Sequence, residues 1–373
     1  MFKNAITVFR VYGIDIRLDP SWFIVAGLFA WSLSVQYFPG ILPGQSQLLY
    51  VTLGVTAMLL FFGSLLLHEL AHSVVAIGFG LKIESITLFI FGGVAGLKDE
   101  PDSARHEFLI AIAGPLMSFA LGGIGLLLGG FLGGAGSIPA AALFAYLGTI
   151  NLVLAIFNLV PAFPMDGGRV LRAAIWHFRK DRVQATTVAA RTGTMLGYGF
   201  MALGALSFFN GGGVSGIWLV FIGFFVVGTS RAAYQQQVIE AGLKGHRVAE
   251  VMTPAPVSVD PAVTLEDLVQ DVMLARNVGF VPVVRDGQLL GYIDRHILHG
   301  VEKDKWAVTM VADVYERATP ENTVPPDFPT VELVQKMTAG APNKFLVAED
   351  GRLRGVISIN DVMSFVALSQ ELA

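Results

Sequence analysis

LLLHELAHSVV, residues 65–75, decides how this chain is read. Three ionisable residues, His68, Glu69 and His72, stand at the end of a run, 20–67, that contains no Asp, Glu, Lys or Arg. Ionisable groups inside a membrane span are costly without a partner, so they mark function by default. On a helix His68 and His72 lie one turn apart on one face, where both imidazoles can reach a single metal ion. Glu69 projects beside them, placed to take a proton from water. The competing reading is a polar cluster that ties helices together.

Working outward, two more charge-free stretches follow, 108–165 and 192–230. A span needs about 20 apolar residues, so each of the three stretches holds two. The predicted spans lie near 20–37, 50–77, 106–129, 139–160, 192–209 and 215–231. The turns between paired spans (39–47, 129–139 and 210–216) carry no Lys or Arg, whereas the N-terminal tail and the segments after the second and fourth spans are basic. By the positive-inside rule this predicts a six-span protein of the cell membrane with both termini cytoplasmic. The 19 residues before the first span lack a short apolar core with a cleavage pattern, so no cleavable signal peptide is expected. The stretch 79–98, rich in Ile, Phe and Gly, predicts a β-hairpin or re-entrant strand at membrane depth. Such backbone survives there only when buried in protein or facing a water-filled cavity.

The composition agrees, with 54% hydrophobic and 14% charged residues against about 25% charged in soluble domains. The absence of cysteine excludes thiolate metal sites, disulfides and a cysteine nucleophile. The net charge of −4 leaves none of the basic excess that nucleic-acid binding needs, so no nucleic-acid partner is expected.

A catalytic zinc site wants a third protein ligand. Asp166 is the only acid between Glu107 and Asp181, in FNLVPAFPMDGGR (157–169), where the fourth span ends. Pro161 and Pro164 break the helix and Gly167–Gly168 permits irregular backbone, which can return a carboxylate toward the bundle. The alternative is an ordinary turn aspartate. His106 and His177 compete as ligands but stand in charged flanks, and His246, His296 and His299 lie beyond the membrane half.

Residues 12–230 resemble the site-2 intramembrane metalloproteases. The likeness rests on HELAH (68–72), GPLMSF (114–119) and NLVPAFPMDGG (158–168). Met165 stands where members commonly have Leu. The resemblance implies His68, His72 and Asp166 as Zn(2+) ligands and Glu69 as catalytic base. It matches Asn158 to an asparagine that contacts substrate or the transition state; Asn158 reads equally as a residue satisfying backbone freed at the proline break. The implied substrate is a membrane-protein partner, a single-span regulator. Helical carbonyls are already hydrogen-bonded, so its cleavage site must unwind, and the strand-like residues 83–97 are expected to offer an edge on which the extended peptide docks.

From about residue 241 the chain turns acidic and repeats itself at a spacing of 64: FVPVVRDGQLLGYI (280–293) against FLVAEDGRLRGVI (345–357). Each copy predicts an amphipathic helix (265–276, 330–340), a strand, an Asp-Gly hairpin turn, a second strand and a helix. This resembles a tandem pair of cystathionine-β-synthase (CBS) domains. The predicted fold class is therefore a polytopic α-helical membrane protein with a membrane-associated β-hairpin, plus an α+β CBS module. The expected division is 1–235 for the membrane domain, 236–247 for a linker, and 248–302 and 303–373 for the two repeats. The resemblance implies ATP or AMP as a ligand, with Ser358 and Asp361 at phosphate- and ribose-contacting positions. The first repeat has Asp294 and Ile297 there, so one cleft at most keeps that chemistry. A structural role, including homodimer formation through the CBS domains, stands as the alternative. A membrane transporter or channel with a regulatory CBS pair is the rival function. It would need ionisable residues spread along a path, whereas here they gather in one motif and one aspartate. A catalytically dead relative is a third reading, opposed by the intact motif.

Overall fold

Residues 6–18, a basic tail by composition, are strands. β1 (Ile6–Val11) and β2 (Ile14–Leu18) pair antiparallel through a turn at Tyr12 and Gly13, whose φ values of 51° and 81° suit a two-residue hairpin. Ile14 and Ile16 are fully buried, while Asp15 between them takes hydrogen bonds from Arg10 (2.6 Å) and Arg17 (3.1 Å). Those bonds, Arg10 first, hold the Asp15 carboxyl below its usual range. The ion pairs give the strand a wet face, and their charge masks the alternation of Ile14 and Ile16. The computed structural model describes residues 5–90, 92–97, 101–338 and 342–371, which divide into two units, Met1–Gln235 and Gln236–Ala373.

In the first unit Pro20 opens α1 (Pro20–Ser32), capped by Asp19, whose side chain accepts from Ser21 N at 3.0 Å. A π-helical turn over 33–37 and the short α2 (Phe38–Ile41) prolong the first span to Ile41. α3 (Gln47–Gly78) carries the HELAH motif. It leads to β3 (Ile83–Phe89) and β4 (Gly92–Leu97), an antiparallel hairpin; Phe91 and Lys98 of the expected segment lie outside the described residues. β3 runs parallel to β2, so the hairpin is half of a four-stranded sheet ordered β1-β2-β3-β4, with β4 at an edge. Ile14, Ile16, Ile83, Ile86, Ala76 and Ile110 form the core that ties this sheet to the helices.

α4 (Ala104–Gly134) and α5 (Ile138–Asn158) follow. They pack so closely that a Cβ on Gly125 would lie 2.7 Å from Gly148 Cα, the small-residue contact typical of membrane helices. After the 159–165 loop comes α6 (Asp166–Arg179), then α7 (Arg182–Ser207) and α8 (Gly213–Leu243). Among the described residues, six helices are long and apolar enough to span a membrane. Helix α6 is absent from the sequence expectation because it is polar and amphipathic, with no charge-free run. The fifth span begins at Arg182, ten residues before the predicted start, and α8 continues past 231 to Leu243. Absence of charge locates only the lipid-facing part of a helix; hydrogen bonding continues beyond it.

The second unit comprises α9 (Val248–Val251), β5 (Thr253–Pro254), α10 (Leu265–Asp267), β6 (Phe280–Arg285), β7 (Gln288–Asp294), α11 (Arg295–His299), α12 (Val311–Val314), β8 (Glu316–Arg317), β9 (Thr323–Val324), α13 (Thr330–Thr338), β10 (Lys344–Glu349), β11 (Arg352–Ser358) and α14 (Ile359–Glu371). A π-helical turn extends α10 to Leu274, and residues 339–340 of the second predicted helix lie outside the described residues. The hairpins turn at Asp286–Gly287 and Asp350–Gly351, all with positive φ, as the Asp-Gly pairs require. The repeats exchange strands: β5 pairs with β11, and β8 with β7. Val248 and Val251 pack with Leu333, Phe345 and Ile357, whereas Val311 joins the core of Val281, Val283 and Ile293. A division at 302/303 follows the order of the chain, but each core borrows a segment from across that line.

Candidate metal centre

α3 presents His68 and His72 from successive turns, both buried, at 2% and 7% exposure. α6 begins at Asp166, and its Oδ2 lies 3.2 Å from Nε2 of each histidine. The two Nε2 atoms are 3.2 Å apart. Two helical segments almost a hundred residues apart thus place three donor atoms around one point, and this is the only such group of His, Asp or Glu among the described residues.

Each imidazole is held from its far side through Nδ1, which leaves Nε2 facing the cluster. His72 Nδ1 is 2.6 Å from the carbonyl oxygen of Ile110, which can only accept, so Nδ1 carries the proton and Nε2 presents a lone pair. His68 Nδ1 lies 2.9 Å from Ser118 Oγ. When both Nε2 atoms are unprotonated, their lone pairs and the Asp166 carboxylate face one another across about 3.2 Å, an arrangement that a bound cation relieves. Zinc bonded at about 2.0–2.1 Å in tetrahedral geometry would hold its nitrogens about 3.3 Å apart, close to the separation found here. The donor set, two nitrogens and one oxygen from three protein residues, fits a catalytic zinc site.

α4 shapes this site. Gly114 lies beneath the imidazoles, where a Cβ would meet His72 Nε2 at 2.2 Å and His68 Nε2 at 2.6 Å. Glu107, fully buried on the same helix, receives Arg172 Nε of α6 at 2.7 Å and a second bond from Arg172 Nη2 to the same oxygen. That pair joins α4 to α6 within two turns of Asp166. The 159–165 loop is held from α8 as well: Thr229 and Ser230 donate to the Phe163 carbonyl at 3.0 and 3.2 Å.

Glu69 lies half-buried beside the histidines and against the sheet: a Cβ on Gly93 of β4 would fall 2.7 Å from Glu69 Cγ. Asn158 closes α5, half-buried, and makes no side-chain hydrogen bond among the described residues. His106 stacks on Phe79, ring centroids 4.1 Å apart, and His177 is exposed; neither joins the cluster. In the second unit Ser358 and Asp361 cap α14 reciprocally. Ser358 Oγ donates to Asp361 Oδ2 at 2.6 Å, Asp361 N donates to Ser358 Oγ at 3.3 Å, and Thr253 donates to the other carboxylate oxygen at 3.1 Å. In the first repeat Asp294 accepts from the backbone N–H of His296 and Ile297.

Sequence reasoning missed Ser118, the Ile110 carbonyl, Gly114 and the Glu107–Arg172 pair. Ser118 stands in the quoted GPLMSF element, and Glu107 is the last acid before a charge-free run, so signals existed. Neither says which partner would be met.

Profile comparison matches peptidase family M50 over residues 56–141 and 134–202, and the CBS domain over 248–299 and 311–368. Rip3 of Mycobacterium tuberculosis, named as a zinc metalloprotease, is 35% identical over 98% of this chain and 93% of its own. A zinc metalloprotease of Methanocaldococcus jannaschii is 33% identical over 99% and 98%. The solved site-2 protease from that archaeon is 30% identical, covering 62% of this chain and 95% of its own with a TM-score of 0.41.

Proposed function

The chain belongs to peptidase family M50, as a multi-pass, site-2-type intramembrane zinc metalloprotease with two CBS domains, and from that premise we propose that it cuts a single-span, membrane-anchored regulatory protein within or beside its span. His68, His72 and Asp166 would hold the zinc. When bound, the ion supplies Lewis-acid chemistry, polarising the scissile carbonyl and acidifying water. Glu69 takes the proton of the attacking water and returns it to the leaving amine. Asn158, with an unengaged amide at the end of α5, is the donor proposed for the developing oxyanion.

One observation carries the substrate reading: the close approach of Gly93 to Glu69. Among the described residues β4 pairs with β3 on one side only, so its other edge offers backbone groups to an extended peptide. A peptide added there lies beside the Glu69 carboxylate. It must be unwound to do so, since helical carbonyls are already hydrogen-bonded. The test compares wild type with Glu69→Gln for zinc content and cleavage of a membrane-anchored reporter: zinc stays and cleavage stops. A substrate-mimic complex with the peptide against the outer connections at 42–46 or 135–137 overturns the docking.

The Lys and Arg distribution supports cytoplasmic termini. For the CBS pair we propose one adenine nucleotide, ATP or AMP, at the second repeat, with Ser358 and Asp361 releasing their mutual bonds to contact it. Homodimerisation through this module is the alternative use. Full-length protein whose melting ignores both nucleotides removes the sensing role.

A further inference from the structure

The third charge-free stretch, 192–230, is bounded at each end by an arginine, Arg191 and Arg231. α7 and α8 run antiparallel with glycines in register: a Cβ on Gly204 would meet Gly216 O at 2.6 Å, one on Gly223 would meet Gly197 O at 2.5 Å, and one on Gly193 would meet Ser230 Oγ at 2.4 Å. That register brings the two arginines to the same level. Each leg of the hairpin from there to its tip is about 25 Å at 1.5 Å per residue, nearly the hydrocarbon thickness of a bilayer. Both guanidinium groups therefore stand where hydrocarbon gives way to headgroups.

Between them is a cavity of about 420 Å³ lined by Arg191, Arg231, Thr194, Ser230, Tyr234 and Met195 among others. Arg231 donates to Tyr198 Oη at 2.6 Å, and neither arginine is ion-paired to a carboxylate among the described residues. Two unneutralised guanidinium groups beside an apolar wall repel each other, and a phosphoryl oxyanion between them relieves this with charge-assisted hydrogen bonds. Basic pockets between spanning helices take anionic headgroups for this reason.

We propose that this cavity binds a phosphate-bearing anion, the headgroup of an anionic phospholipid, with Arg191 and Arg231 on the phosphate and Met195 toward the lipid glycerol and chains. Ser230 in its wall is the residue whose hydroxyl holds the Phe163 carbonyl, three residues before Asp166, so the bound lipid braces the loop that carries the metal-facing carboxylate.

The test uses the full chain in mixed micelles, titrated with phosphatidylglycerol, phosphatidylcholine or inorganic phosphate, and reads melting temperature and lipid retained by native mass spectrometry. Phosphatidylglycerol raises the melting temperature and is retained, and the other two additives do neither. Arg191→Gln with Arg231→Gln weakens apparent phosphatidylglycerol binding about tenfold or more, and Lys82→Gln leaves it unchanged. If the double variant folds poorly, Arg191→Gln alone serves, because Arg191 is exposed and unpaired. The proposal is overturned if the variants bind phosphatidylglycerol as wild type does, if Lys82→Gln loses as much, or if phosphatidylcholine matches it. Equal stabilisation by inorganic phosphate makes the ligand a soluble anion and overturns the lipid assignment.

Discussion

Ser118 Oγ lies 2.9 Å from Nδ1 of His68, fifty residues earlier in the chain. The contact aims Nε2 of His68 at Asp166, as the Ile110 carbonyl does for His72. Removing such an outer partner typically costs 10–100-fold in metal affinity. Ser118→Ala is expected to weaken zinc binding by about that factor, read by competition with a chromophoric chelator. An unchanged affinity would show the hydroxyl to be a mere helix contact.

Gly114 tests the space for the ion. Alanine there puts a methyl group 2.2 Å from His72 Nε2, so the imidazoles must part. Gly114→Ala is expected to lose zinc affinity on the order of 100-fold while circular dichroism still reports the wild-type helix content.

Gly93 tests the base in isolation. A methyl group there presses on Glu69 Cγ at 2.7 Å, and its three nearest atoms belong to Glu69 and Leu88 rather than to the metal-facing residues. Gly93→Ala should keep stoichiometric zinc and lose cleavage by about tenfold or more, as misplacement by about 1 Å commonly does. Loss of zinc along with activity would contradict this separation.

The Glu107–Arg172 pair is buried, and Glu107 Oε2 has no hydrogen-bond partner among the described residues. Breaking one side of such a pair costs about 3–5 kcal/mol, because a charge is left alone in an apolar place. Arg172→Leu should therefore lower the melting temperature sharply. Glu107→Leu combined with Arg172→Leu should recover most of that stability, and zinc titration will then show whether α6 still presents Asp166.

The paired repeats show what an isolated stretch of sequence can and cannot say. Asp286–Gly287 and Asp350–Gly351 announce their hairpins because a two-residue turn demands residues that tolerate positive φ. The exchange of β5 and β8 between the repeats leaves no such local mark, since two residues of edge pairing in each are chosen by whichever sheet is near.

The membrane half divides in the same way. The lipid setting and the HELAH motif follow from sequence alone, because freedom from charge and helical spacing are local properties repeated over tens of residues. Ser118 behind His68, Ile110 behind His72, Gly93 against Glu69 and Arg172 on Glu107 come only from the folded chain. Each is a contact between residues 24 to 65 positions apart, and its partner is selected by how α4, α6 and the sheet pack onto α3.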